Sequence, residues 1–327
     1  MKSRELSRFA LSVCVAIVML AGCGGSQPPI GSPGAMQQTS AIATHAERGK
    51  SWMLPEAKSE NLMYVSDVGM EGVLVYAYRR PRYKYVGFLL GLAAPEGECV
   101  DEAQNIYVAE SSVNGGGAVF EYRHGGTTPI KILGVDGFAQ GCAVDLTTGN
   151  LAVIAYNGLR GVLSLFKKAR GKPVVYTDNG FDMYACAYDP KGDLFIDGVD
   201  PSDNVQIDEM PQGSTQFENI ALNQTPSTVG SIQWASKRLA VGDAYEPIIY
   251  RFDIAGTKGT EVGSTPLNDS SAIIGQFFIA ADRVIVPTEP EDYGGYLKIY
   301  HYPAGGNAHR TLSNFSLPVA VVISYAQ

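Results

Sequence analysis

Histidine is scarce in this chain, with four in 327 residues, and none stands where a nucleophile would need a base. His45 lies in a low-complexity stretch, and His124, His301 and His309 fall on the third strands and outer hairpins of the pattern described below. There is no G-x-S-x-G elbow, so a serine triad lacks its signature. There is no C-x-x-C pair or His-rich spacing, so a clustered metal or redox centre is not expected either. Long apolar runs are missing: Phe9 to Leu20 is too short for a comfortable membrane span. Positive charge is in deficit, with 25 Lys and Arg against 33 Asp and Glu and a net charge of −8. The dense basic run Arg79-Arg80-Pro81-Arg82-Tyr83-Lys84 sits at a predicted hairpin. Nucleic acid is therefore not an expected partner.

What the chain does have is a repeat. Asn105-Ile106-Tyr107-Val108-Ala109-Glu110 is written six times in related form. The leading apolar residues are Met63, Ile106, Leu151, Leu194, Leu239 and Val284, at separations of 43, 45, 43, 45 and 45. Two residues on stands Val65, Val108, Val153, Ile196, Val241 or Val286, always β-branched. A fixed period near 44 built from short β patterns predicts a propeller with one four-stranded blade per period. The predicted fold is thus all-β, a six-bladed propeller over residues 61–327. Third strands end on Tyr78, Tyr122, Phe166 and Met210, with Tyr302 matching in the last period. Six second strands but only five preceding first strands are found. The missing partner of 63–67 is predicted to be the C-terminal Val319 to Tyr325, which would close the ring and remove an open sheet edge.

Residues 1–22 read as a secretory signal, with Lys2, Arg4 and Arg8 ahead of the apolar stretch. It ends in Leu20-Ala21-Gly22-Cys23, which resembles the lipobox of bacterial lipoproteins. The resemblance implies cleavage before Cys23, acylation of its thiol, and a membrane as partner. In the lipoproteins it resembles, Gly24 rather than Asp after the cysteine implies the outer membrane of the cell envelope, where the cell has one. Residues 23–60 then form the lipidated cysteine and a tether. They are rich in Gly, Ser, Pro, Gln and Ala without periodicity, and bury too little to offset their ordering entropy. A tether of this length spans about 30 Å. Of the three remaining cysteines, Cys142 and Cys186 each lie three residues before the aligned Asp145 and Asp189. That places them alike on neighbouring inner strands, where either a disulfide or two buried thiols would fit.

Gly141-Cys142-Ala143-Val144-Asp145 with Gly149-Asn150-Leu151-Ala152-Val153, and Asp189-Pro190-Lys191-Gly192-Asp193-Leu194-Phe195, resemble NHL-type repeats. The wider resemblance is to TolB-like proteins and the gluconolactonase and strictosidine synthase families. Calcium-dependent lactonases of that superfamily use Glu, Asn and Asp around the channel mouth, which would give Glu96 or Glu98 the first part. Gln233 and Gln276 stand where the later inner strands should supply Asn and Asp. Independently of any family, acids recur where second strands end, at Asp67, Glu110, Asp197, Asp243 and Glu289, and where first strands begin, at Glu96, Glu98 and Asp182; of the former, Asp67, Glu110 and Asp243 share one repeat position. Together they predict an acidic mouth for a cation or cationic ligand, or else solvated loop acids. Asp101, Asp145 and Asp189 precede tight turns and read as acceptors for turn N–H groups. The expected function is non-enzymatic binding or scaffolding, of a protein or a small molecule, with no cofactor. The alternative is a divalent-metal-dependent, calcium-using hydrolase of the lactonase kind.

Overall fold

The structure is a computed structural model, and it describes residues 49–327 apart from 114–115, 179, 269–271 and 291–293. All belong to one unit, Ala43–Gln327. The signal, Cys23 and most of the tether lie outside the described residues. The described chain is strand after strand, with three short 3₁₀ turns as its helical content.

The strands form five hydrogen-bonded sheets in a propeller-like arrangement. Sheet I runs Trp52–Met53, Arg82–Leu90, Gly72–Arg79, Leu62–Asp67 and Pro318–Ser324 in spatial order. Sheet II is the meander Pro95–Val100, Ile106–Val113, Gly116–Tyr122 and Lys131–Val135, and sheet III is Phe138–Val144, Leu151–Tyr156, Gly161–Phe166 and Val174–Tyr176. Sheet IV has eight strands in two antiparallel halves. Half IVa runs Asp182–Tyr188, Leu194–Val199, Val205–Met210 and Glu218–Leu222; half IVb runs Ile232–Ala235, Arg238–Asp243, Ile248–Ala255 and Lys258–Pro266. As strands the halves are paired only in parallel through their outermost members, Ala221 with Lys258 and Leu222 with Gly259. Sheet V places Ala272–Ile274 and Phe278–Ala280 on Arg283–Pro290, followed by Gly295–His301 and Gly305–Phe315.

The predicted C-terminal pairing is present. Met63 lies opposite Ile323 and Val65 opposite Val321, so the last strand is the first strand of sheet I. The period also has a packing meaning. Side chains alternate faces along a strand, and the leading apolar residues and their β-branched partners turn towards the preceding sheet. Ile106 and Val108 pack with Leu62 and Tyr64, Leu151 and Val153 with Tyr107 and Ala109, and Leu194 and Ile196 with Ala152 and Ile154. Leu239 and Val241 likewise pack with Phe195, and Val284 and Val286 with Ala240. Each repeat cannot bury its own face, so the neighbour's apolar stripe is its core.

The third-strand alignment shifts at the two ends of the chain. Tyr122, Phe166 and Met210 sit opposite Ile106, Leu151 and Leu194 as expected. In sheets I and V the equivalent places belong to Tyr76, opposite Met63, and Tyr300, opposite Val284. Tyr78 and Tyr302 lie two residues further on, where their N–H groups bond the carbonyls of Asn61 and Asp282.

Candidate binding channel

The starts of the innermost strands surround a cavity of about 190 Å³. Glu96 of sheet II, Gln140 of III, Tyr184 of IVa, Ser231 of IVb, Gln276 of V and Val319 of I line it. The strands crowd one another there. A Cβ on Gly97 would lie 2.7 Å from the carbonyl oxygen of Gln140, so glycine is required at that approach. Gln276 crosses between sheets: it accepts from the Glu98 N–H (2.9 Å) and donates to the Glu98 carbonyl (2.7 Å), while its own main chain pairs with Val319 and Val321. Ser231 is 5 % exposed, and its hydroxyl has no partner among the described residues. Glu96 faces the cavity with the Ser111 hydroxyl at 3.5 Å. Burial, and then the Glu110 charge, push its carboxyl up to about 7.

The other predicted mouth acids do not gather around this cavity. Asp67 accepts from the N–H groups of Met70, Ser316 (2.8 Å) and Leu317 (2.9 Å). Glu110 accepts from Ala94 N–H (2.9 Å), Asp197 from Ala185 N–H (2.7 Å), and Asp243 from the Ser227 and Thr228 hydroxyls and the Tyr245 and Glu246 N–H groups. The four are at most 1 % exposed. Each ties the end of a second strand to the entry of the first strand in the same meander. They are buried backbone acceptors rather than solvated loop acids. Burial pushes Asp243 up, but its hydroxyl and N–H donors prevail and hold it below the ordinary carboxylate range. Asp197 has fewer donors, and burial raises it to about 7.

Glu98 is turned sideways. It occupies the inner-strand place opposite Val108, equivalent to Cys142 opposite Val153 and Cys186 opposite Ile196, and so faces back towards sheet I. There the Ser66 hydroxyl donates to it at 3.0 Å, and burial keeps its carboxyl well above the usual range. Asp182 accepts from the Gly161 N–H and belongs to a separate hollow of about 210 Å³ shared with Leu159, Arg160 and Asp203. Among the described residues no three Asp, Glu, His or Cys side chains meet as a metal site. The Asp101, Asp145 and Asp189 carboxylates accept turn N–H groups from Asn105 (2.7 Å), Thr147 (2.8 Å) and Lys191 (2.8 Å).

Neither alternative for Cys142 and Cys186, a mutual disulfide or two free thiols, is what the structure has. Cys142 is bonded to Cys99, with Cα atoms 5.7 Å apart, and Cys186 is a buried free thiol. The reason is the direction of side chains around the ring. Cys142 and Cys186 are equivalent, so both face back towards the preceding sheet and follow rather than meet one another. Cys99 sits one residue out of phase, opposite Tyr107 instead of Val108, and faces forward into the cluster that holds Cys142. Being out of phase is what lets it pair. The other signal that sequence reading passed over is the uncharged residues at the entries of first strands. Gln140, Tyr184 and Ser231 line the cavity through that position alone.

No family model matches the chain, and no curated protein matches it. Solved structures do. A chain of the nidogen/laminin complex is 13 % identical with a TM-score of 0.65, covering 82 % of this chain and 99 % of that one. A protein of unknown function from Bacteroides caccae is 10 % identical with a TM-score of 0.60, covering 81 % and 99 %. At these identities the likeness is one of fold, and the fold is the β-propeller.

Proposed function

We propose that this chain is a six-bladed propeller that binds a partner or small ligand without chemistry, held at the cell envelope by lipid on Cys23. The count of six takes halves IVa and IVb as separate blades, since only two strand-paired residue pairs link their ladders and the rest of their contact is face-to-face apolar packing like that between the other sheets. The NHL and TolB-like resemblance is kept as the finer description of that ring, closed by the C-terminal strand. A nidogen/laminin complex among the fold's neighbours is consistent with a binding or scaffolding use.

The observation that carries the reading is the employment of the acids. A lactonase needs carboxylates free to converge on an ion that polarises the ester. Here Asp67, Glu110, Asp197 and Asp243 are spent on backbone N–H groups, and Glu98 faces a neighbouring sheet. What remains at the cavity is one carboxylate, Glu96, among amide, phenol and hydroxyl groups suited to recognition. Turnover assays on simple lactones with calcium present test this. No hydrolysis above background is expected, and turnover abolished by Glu96→Gln would contradict it.

A further inference from the structure

The run Arg79 to Lys84 looks like the basic feature of the sequence, but the fold pairs three of its four cations. Arg79 pairs with Glu60, Arg80 with Asp282 and Lys84 with Glu56. A second run escapes neutralisation. Lys167, Lys168, Arg170 and Lys172 occupy the hairpin after the third strand of sheet III, and all four are exposed. None makes an ion pair among the described residues. The left-handed turn at Lys168 (φ 50°) and Ala169 (φ 47°) fixes the tip. The hairpin does not stand alone. The Lys168 N–H bonds the Asn150 side chain at 3.0 Å, which sets it beside the 145–150 turn of the same sheet. That turn presents Leu146, 59 % exposed, and the strand leaving the hairpin presents Val174, 57 % exposed.

Four unpaired cations flanking bare aliphatic side chains match the chemistry of an anionic bilayer surface, with headgroups for the cations and the acyl boundary for Leu146 and Val174. We propose that this corner of sheet III docks on anionic lipid headgroups of the membrane that carries the anchor. The proposal rests on lipidation of Cys23. A tether makes a weak contact intramolecular and so raises its occupancy, and one acyl chain plus a basic patch is a sufficient pair of anchoring signals. A nucleic acid would want the same cations but gives Leu146 and Val174 nothing to bury against. The contact also orients the molecule. The hairpin lies where third strands end, whereas the cavity is lined by the starts of first strands, so docking turns the cavity mouth away from the bilayer.

The test uses full-length lipidated protein carrying Leu146→Trp, reconstituted into vesicles of phosphatidylcholine alone or with phosphatidylglycerol, with brominated acyl chains as quencher. Quenching of the introduced indole, beyond the native tryptophan background of the wild type, is expected only with phosphatidylglycerol and is lost in high salt. Each cation contributes about fivefold to partitioning, so adding Lys167→Glu and Lys168→Glu should cut the docked fraction by more than about tenfold. No quenching with phosphatidylglycerol, or equal quenching in both vesicles, would overturn the proposal. Retention on duplex DNA without quenching would overturn it in favour of nucleic acid. Flotation with phosphatidylcholine alone reports the lipid anchor separately, and protein added to phosphatidylglycerol vesicles still decides the hairpin if that anchor fails.

Discussion

Single residues decide much here through the direction they face. The Cys99–Cys142 bond links successive meanders across 43 residues of chain. Its removal by Cys99→Ser should cost about 2–4 kcal/mol in urea unfolding, chiefly by freeing the unfolded chain. Cys186→Ser should leave the bond intact in unreduced peptide maps. Glu96 and Asp197 carry the other residue-scale prediction. Their carboxyls are held near 7 in the folded protein, above the ordinary range. Between pH 4.5 and 7 the folded state therefore binds protons that the unfolded chain has released. Their contribution makes stability fall as pH rises through that window and level off above it. Urea midpoints of the wild type against Glu96→Gln should show a shallower decline in the variant, and an identical slope would remove Glu96 from the account. Apart from the place of Glu96 at the cavity, none of this was legible from residue type. The recurrence of acids was visible, but whether an acid meets water, a backbone N–H or another sheet depends on a one-residue phase that the repeat period leaves open.

At the scale of elements the sequence was far more informative, because the apolar spacing that gave the period is the spacing that packs one meander on the next. The C-terminal strand was readable from a count of unmatched second strands, and it pairs along Leu62 to Asp67. Deleting 318–327 strips that strand from sheet I, unties Asp67 from the loop ahead of it and removes the bridge to Gln276. The loss should be several kcal/mol, a large share of a domain's margin. An unchanged thermal melting temperature after truncation would contradict it. The joining of IVa to IVb, and the shift of Tyr78 and Tyr302 off the aligned places, were not legible. Both depend on hairpin lengths, which vary without disturbing the apolar stripe.

For the whole molecule, the acids of the propeller hold strands in place, and on the proposed reading the cavity recognises rather than reacts. The two function classes part on whether a metal belongs to the folded state. An ion that binds the folded chain and not the unfolded one must stabilise it by mass action. The most direct measurement is the melting temperature of protein purified without chelator, with millimolar calcium and with EDTA. A change of at most a degree or two is expected in either. A large rise with calcium, reversed by EDTA and abolished by Glu96→Gln or Glu98→Gln, would contradict it and establish the metal-dependent hydrolase instead.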